Sequence, residues 1–173
     1  MLRSLLVGIT CLALTALLLA CPVTLPKAPF DATGAFSGTW SGSSTDSAQT
    51  VQSCALEMAL TQDVNASYPQ DHTVTGQVTI DYSCIQLPAW AQSQPQPSVV
   101  QVSGIMGDDG SFTLLSGGCG TGMCVALVLT GVGVDADSDG KMDTYAGNWS
   151  YRILLAGVEP FGFDGTFEVA ATI

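Results

Sequence analysis

The feature that most constrains this chain is a two-residue alternation that recurs along it. Over residues 73–84, Val74, Gly76, Val78, Ile80, Tyr82 and Cys84 share one side, and Thr75, Gln77, Thr79, Asp81 and Ser83 share the other. Period two with β-branched residues describes a strand with one buried face. Residues 54–61 repeat the pattern, with Cys54, Leu56, Met58 and Leu60 on one face. The stretch between them is polar and holds Pro69, so it reads as a loop, and His72 falls in it. Setting Leu60 opposite Val78 places Met58 opposite Ile80, Leu56 opposite Tyr82 and Cys54 opposite Cys84. All apolar partners then share a face, as a hairpin with one buried side requires.

The same reading gives a strand over 34–43, with Phe36, Gly38 and Trp40 on one side. Strands over 98–106 and 111–115 flank the turn Gly107-Asp108-Asp109-Gly110. Residues 123–134 are apolar on both faces, which predicts a central strand. Residues 144–154 alternate, with Tyr145, Gly147, Trp149, Tyr151 and Ile153 opposed to Ala146, Asn148, Ser150 and Arg152. A last strand over 163–173 turns Phe163, Phe167 and Val169 inward. The prolines at 88, 95 and 97 mark 87–97 as a surface loop. About eight antiparallel strands without crossover helices predict an all-β fold, an up-and-down barrel or, alternatively, a two-sheet sandwich. Residues 34–173 form one domain on this reading.

Charge narrows the function classes. Fifteen acids oppose four Lys and Arg, a net charge of −11. That argues against nucleic acid, which needs a basic face to displace counterions. Only 11% of residues are charged and 47% are hydrophobic, so the chain is not a disordered polyelectrolyte.

The N-terminus reads as an address. Arg3 precedes an uncharged apolar run over 5–20, which is too short for a comfortable membrane span and fits the core of a secretory signal peptide. The run ends Leu18-Leu19-Ala20-Cys21, which resembles the lipobox of bacterial lipoproteins, with Leu19 a less usual residue at its place. The resemblance implies that residues 1–20 are a signal peptide, removed by cleavage before Cys21, and that Cys21 carries the lipid (a diacylglyceryl group and, typically, a palmitate). Cys11 is a poorer acceptor, because Thr10 precedes it. In that family an Asp after the lipidated Cys favours the inner membrane. Here Pro22 follows, which points to an outer-membrane lipoprotein of the cell envelope. Two or three acyl chains anchor stably where one does not. Loss of 1–20 leaves Lys27, Lys141 and Arg152 against fifteen acids, a charge of −12, which anionic lipid repels. Residues 21–33 then form a tether, with Pro22, Pro26 and Pro29 favouring an extended spacer.

Four cysteines remain beyond Cys11 and Cys21, and an even number in an exported chain reads as two disulfides. Three connectivities are possible. The strand register favours Cys54 with Cys84, leaving Cys119 with Cys124.

One motif carries specific chemistry: Asp135-Ala136-Asp137-Ser138-Asp139-Gly140-Lys141-Met142-Asp143. Four carboxylates in nine residues repel one another unless a cation lies between them. Calcium takes six to eight hard oxygens. Positions 1, 3 and 5 supply Asp135, Asp137 and Asp139, Gly140 allows the bend, Lys141 offers its backbone carbonyl, and Asp143 closes the shell. The loop resembles the first nine positions of the EF-hand, but Ala146 stands where the twelfth-position Glu belongs, and strands flank it rather than helices. It is more similar to the calcium-binding hairpin loops of integrin-type β-propeller repeats; thrombospondin type 3 repeats use related sequences. The cofactor expected is therefore a structural Ca²⁺. Pairing Val134 with Thr144, Leu129 with Trp149 and Leu127 with Tyr151 closes the hairpin around this loop.

Gly38-Thr39-Trp40 resembles the Gly-x-Trp signature of lipocalins and other calycins. That resemblance implies eight strands around a small-ligand cavity, with the Trp under a basic residue from late in the chain, for which Arg152 is the candidate. Gly76, Gly104, Gly147 and Gly165 would leave room inside. The alternative is a Trp that plugs the end of a β-core.

No nucleophile motif is present. Ser41 sits one place late in Gly38-Thr39-Trp40-Ser41-Gly42, His72 is the single histidine, and only Glu57, Glu159 and Glu168 are glutamates. No catalytic residue is assigned and an enzyme is not expected, a hydrolase using paired carboxylates being the third reading. The sequence thus predicts an exported lipoprotein with a calcium- and disulfide-stabilised β-domain in an envelope-associated binding or structural role, or alternatively a calycin-like carrier of a small apolar ligand. It leaves the ligand or protein partner unidentified.

Overall fold

Eight antiparallel strands close into a barrel in simple sequence order in the computed structural model, which describes residues 26–46, 48–92, 99–120 and 123–172. The leader and Cys21 lie outside these residues. The strands are β1 (Gly34–Ser44), β2 (Thr50–Gln62), β3 (Thr73–Ile80), β4 (Val99–Met106), β5 (Ser111–Gly120), β6 (Met123–Val134), β7 (Thr144–Leu155) and β8 (Phe161–Ala171). Closure is made by β1 on β8, from Phe36 opposite Ala171 to Ser44 opposite Phe163. The up-and-down barrel of the sequence reading is therefore the fold, and the sandwich alternative is not.

Alternation sets the two faces. Phe36, Trp40, Leu56, Met58, Val78, Leu114, Leu129, Tyr145, Phe163 and Val169 are among the side chains buried inside. Ser37, Thr39, Glu57, Thr75, Gln77, Thr130 and Glu168 face outward. The outer face also carries exposed apolar residues, among them Val99, Ile105, Leu115, Val132 and Val134.

The β6–β7 register is the one expected, with Val134 opposite Thr144, Leu129 opposite Trp149 and Leu127 opposite Tyr151. The β2–β3 register differs by two residues: Met58 faces Val78, and Leu60 faces Gly76. A shift of two keeps every side chain on its face, so the alternation alone does not choose between the two registers. The expected pairing extends β3 as far as Cys84. β3 ends at Ile80, where Asp81 accepts a hydrogen bond from the Ser83 N–H, and Cys84 reaches Cys54 from a 3₁₀ turn, Tyr82–Cys84. The second disulfide joins Cys119 to Cys124, which are direct partners in the β5–β6 ladder.

β6 is not central, because a closed ring has no central strand. Leu127 and Leu129 face in, while Val132 and Val134 face out at 49% and 46% exposure. β5 runs five residues past its expected end. Its glycine-rich half pairs only with β6, since β4 and β5 are paired over Ser103 to Met106 alone.

The interior is filled by rings. Trp40 lies 4.3 Å from Trp149 and 6.0 Å from Phe163, and Tyr145 stacks on Phe112 at 4.1 Å with Phe167 against its edge. The Tyr145 hydroxyl is 3.1 Å from the carbonyls of Phe112 and Leu129. Burial pushes its phenol well above the ordinary tyrosine value. The four inward glycines do not make room for a ligand. A Cβ at Gly76, Gly104, Gly147 or Gly165 would come within 2.1, 1.9, 2.1 and 1.9 Å of a carbonyl oxygen on the adjacent strand. They are glycines because neighbouring backbones approach there, as tight barrels require. Arg152 does not cover Trp40 either. It faces outward, donates to the carbonyls of Tyr151 and Phe163, and forms a bidentate pair with Asp164.

Both ends of the barrel are covered. At one, Ile85 is buried, and Leu87 and Trp90 of the 81–92 connection pack on the core. At the other, the segment read as tether lies against the barrel from Lys27 onward, burying Phe30 and Ala32.

The Cys54–Cys84 bridge closes a loop of 30 residues, for which loop-closure entropy gives roughly 3–4 kcal/mol. A variant with both cysteines replaced by serine is expected to lose about that much stability in urea denaturation. An unchanged midpoint would mean the bridge does not constrain the unfolded chain.

Candidate metal centre

The acidic motif forms the tip of the β6–β7 hairpin. Strand pairing runs to Val134 and Thr144, and the Asp143 N–H returns to the Val134 carbonyl at 2.8 Å, so the loop starts and ends at one point. Gly140 has φ +84°, a left-handed conformation that glycine adopts without a Cβ penalty. Ser138 also has positive φ, at +63°.

Carboxylate oxygens of Asp135, Asp137 and Asp143 lie within 4.8 Å of one another. Two oxygens each about 2.4 Å from a shared cation are at most about 4.8 Å apart, so the spacing fits a calcium-sized ion. Asp139 stands outside the group, with its Oδ1 accepting the Lys141 N–H at 2.8 Å. The loop amides point at the three converging side chains. Ala136 N–H donates to Asp143 Oδ2 at 2.6 Å, Gly140 N–H to Asp135 Oδ2 at 2.9 Å, and Asp139 N–H to Asp137 Oδ1 at 3.1 Å. Each carboxylate oxygen has two lone pairs, so these bonds leave capacity for a cation.

The loop is also joined to the N-terminal segment. Asp31 pairs in parallel with Lys141: its N–H donates to the Gly140 carbonyl at 2.8 Å, and its carbonyl accepts from the Met142 N–H at 2.9 Å. Met142 is buried, and a Cβ at the neighbouring Gly133 would strike both its sulfur and the Phe30 ring. The Ala171 N–H donates to the Asp143 carbonyl at 2.7 Å. One nine-residue loop therefore ties together both ends of the described chain.

A second polar cluster at this end was not anticipated. His72, read as part of a polar loop, ends a 3₁₀ turn and is 2% exposed. Its Nδ1 lies 2.9 Å from Asp71 Oδ1, and its Nε2 lies 3.2 Å from Asp108 Oδ1 in the β4–β5 turn. Gln62 is buried beside it, accepting the Ala32 N–H and donating to the Asp71 carbonyl. The signal was available: continuing the inward parity of β2 and β3 by one step from Leu60 and Val74 reaches Gln62 and His72. The hydrogen bond from His72 holds the Asp71 carboxyl below the ordinary carboxylate value, against the opposing effect of burial, and the Lys27 ammonium 3.8 Å away acts with it.

A closed eight-stranded antiparallel barrel with a three-aspartate hairpin loop is the class that fold and site define. The chain matches no family model, no curated protein and no solved structure.

A carboxyl held low in the folded state contributes stability above its unfolded value of about 3.9, and that contribution is lost as pH falls through the folded value. Wild type is therefore expected to be more stable than Asp71→Asn above about pH 4. The gap should close on further acidification, read as thermal midpoints across the acid range. A gap independent of pH would show that Asp71 acts through packing alone.

Proposed function

We propose that this chain is an exported lipoprotein, anchored through Cys21, whose barrel is stapled by two disulfides and one calcium ion and serves an envelope-associated structural or partner-binding role. The observation that carries the calcium reading is the convergence of Asp135, Asp137 and Asp143 at the tip of a paired hairpin. A divalent ion there offsets like-charge repulsion in a chain that carries −12 once residues 1–20 are removed. Calcium is the fitting ion because the donors are hard oxygens and the chain has a single histidine, engaged elsewhere. The two disulfides favour an oxidising compartment, in keeping with the leader. A barrel interior filled with aromatic rings favours this role over carriage of a ligand inside it.

The role of the ion is that of a staple. A site of about 10⁻⁴ M affinity fills at the calcium levels found outside the cytoplasm. At 1 mM calcium it would add about 1.4 kcal/mol, or roughly 3–6 °C in melting temperature for a chain of this size. Chelation is expected to lower the melting temperature by that amount, and Asp143→Ala to abolish the difference. A native mass spectrum of the cell-purified protein should show an acylated Cys21 as N-terminus and one calcium. A melting temperature indifferent to chelator would remove the staple, and an unmodified Cys21 would remove the anchor.

A further inference from the structure

We propose that His72 is a proton-dependent latch that joins the β2–β3 loop to the β4–β5 turn through Asp71 and Asp108. The ring is 2% exposed, and each of its nitrogens faces a carboxylate oxygen, at 2.9 and 3.2 Å. An ionised carboxylate only accepts hydrogen bonds. A neutral imidazole has one N–H and one lone pair, whereas an imidazolium donates from both nitrogens. Only the protonated ring satisfies both contacts at once.

The two carboxylates are not equivalent, and this decides which contact breaks. The Asp71 side chain is 0% exposed and has no access to water in place of His72, while Asp108 is 65% exposed and can turn to solvent. The neutral ring therefore keeps its proton on Nδ1 for Asp71 and presents a lone pair to Asp108, which releases. The groups around the ring are Asp71 on its own turn, Asp108 on the β4–β5 turn, Tyr68 with its ring 5.3 Å away, and Lys27 of the N-terminal segment, 3.8 Å from Asp71 Oδ2. Two carboxylates against one ammonium leave the imidazolium charge compensated.

The turn keeps its own shape in either state. Gly107 N–H donates to the Ser111 carbonyl at 2.7 Å, and Asp109 accepts from the Ser111 amide and hydroxyl. What changes is its attachment. His72, Asp108 and Tyr68 line an outer groove of about 930 Å³, together with Ile105 and Leu115. The latch fixes one wall of that groove in acid and frees it as the ring loses its proton. The two contacts of the latch itself, His72 with Asp71 and with Asp108, include no residue of the lipid anchor or of the 135–143 loop.

The test is nitrogen-detected NMR of the full chain between pH 4.5 and 9, unambiguous because His72 is the single histidine. Both ring nitrogens should be protonated in acid and only Nδ1 in base. Backbone amides of Gly107, Asp108 and Asp109 should shift with the same midpoint as the ring. In Asp108→Ala, a change on an exposed turn, the ring should still titrate but the turn amides should no longer follow it. A ring that stays neutral throughout, a neutral form protonated on Nε2, or turn amides indifferent to the ring in wild type would each overturn the latch.

Discussion

The structure depends on keeping water out of a barrel core built of aliphatic side chains and aromatic rings. Closure of β1 on β8 removes the sheet edges but leaves two open ends. At one end the 81–92 connection covers the core with Ile85, Leu87 and Trp90. At the other, Phe30 and Ala32 of the N-terminal segment close it, with Met142 beside Phe30. Burying a side chain such as Phe30 is worth about 1.5–3 kcal/mol, enough to fix a short segment that has no strand partner along most of its length. A stretch whose prolines suit a spacer thus ends as part of the domain, because two apolar residues two apart find a surface to cover.

That segment explains why the polar features gather at one end. Asp31 joins the acidic loop through Gly140 and Met142, Ala32 joins β2 through Gln62, and Lys27 approaches Asp71. Gln62 and His72 find hydrogen-bond partners within this cluster, while Asp71 Oδ2 has none and faces the Lys27 ammonium at 3.8 Å. The acidic loop and the histidine cluster both attach to this segment, the one through Asp31 and the other through Lys27 and Ala32.

Much of this was legible in the sequence. Inward and outward faces followed from alternation, and the β6–β7 hairpin could be registered because its loop has a defined length and its partners are large on both strands. The β2–β3 register was not fixed, since a two-residue slip preserves every face and alternation does not choose between Val78 and Gly76 as the residue opposite Leu60. The upper half of β5 was hidden by Gly117 and Gly118, whose lack of side chains erases the alternation. The apolar outer face of β6 was misread as burial, although Val132 and Val134 stand at the surface. In the site, spacing named Asp135, Asp137, Asp139, Lys141 and Asp143; the carboxylates of Asp135, Asp137 and Asp143 converge, and that of Asp139 lies outside their group. Partnership between Asp108 and His72 spans 36 residues and follows from the β3–β4 register, which sets Thr73 opposite Ile105.

The central claim is that calcium in the 135–143 loop holds the N-terminal strap on the barrel. Hydrogen exchange at the Asp31, Gly140 and Met142 amides, with calcium and with chelator, tests it most directly. The account predicts strong protection of all three with calcium and its joint loss without it, while amides in the middle of β7 stay protected. Protection at Asp31 and Met142 unchanged by chelator would contradict it, leaving the strap held by Phe30 and Ala32 alone.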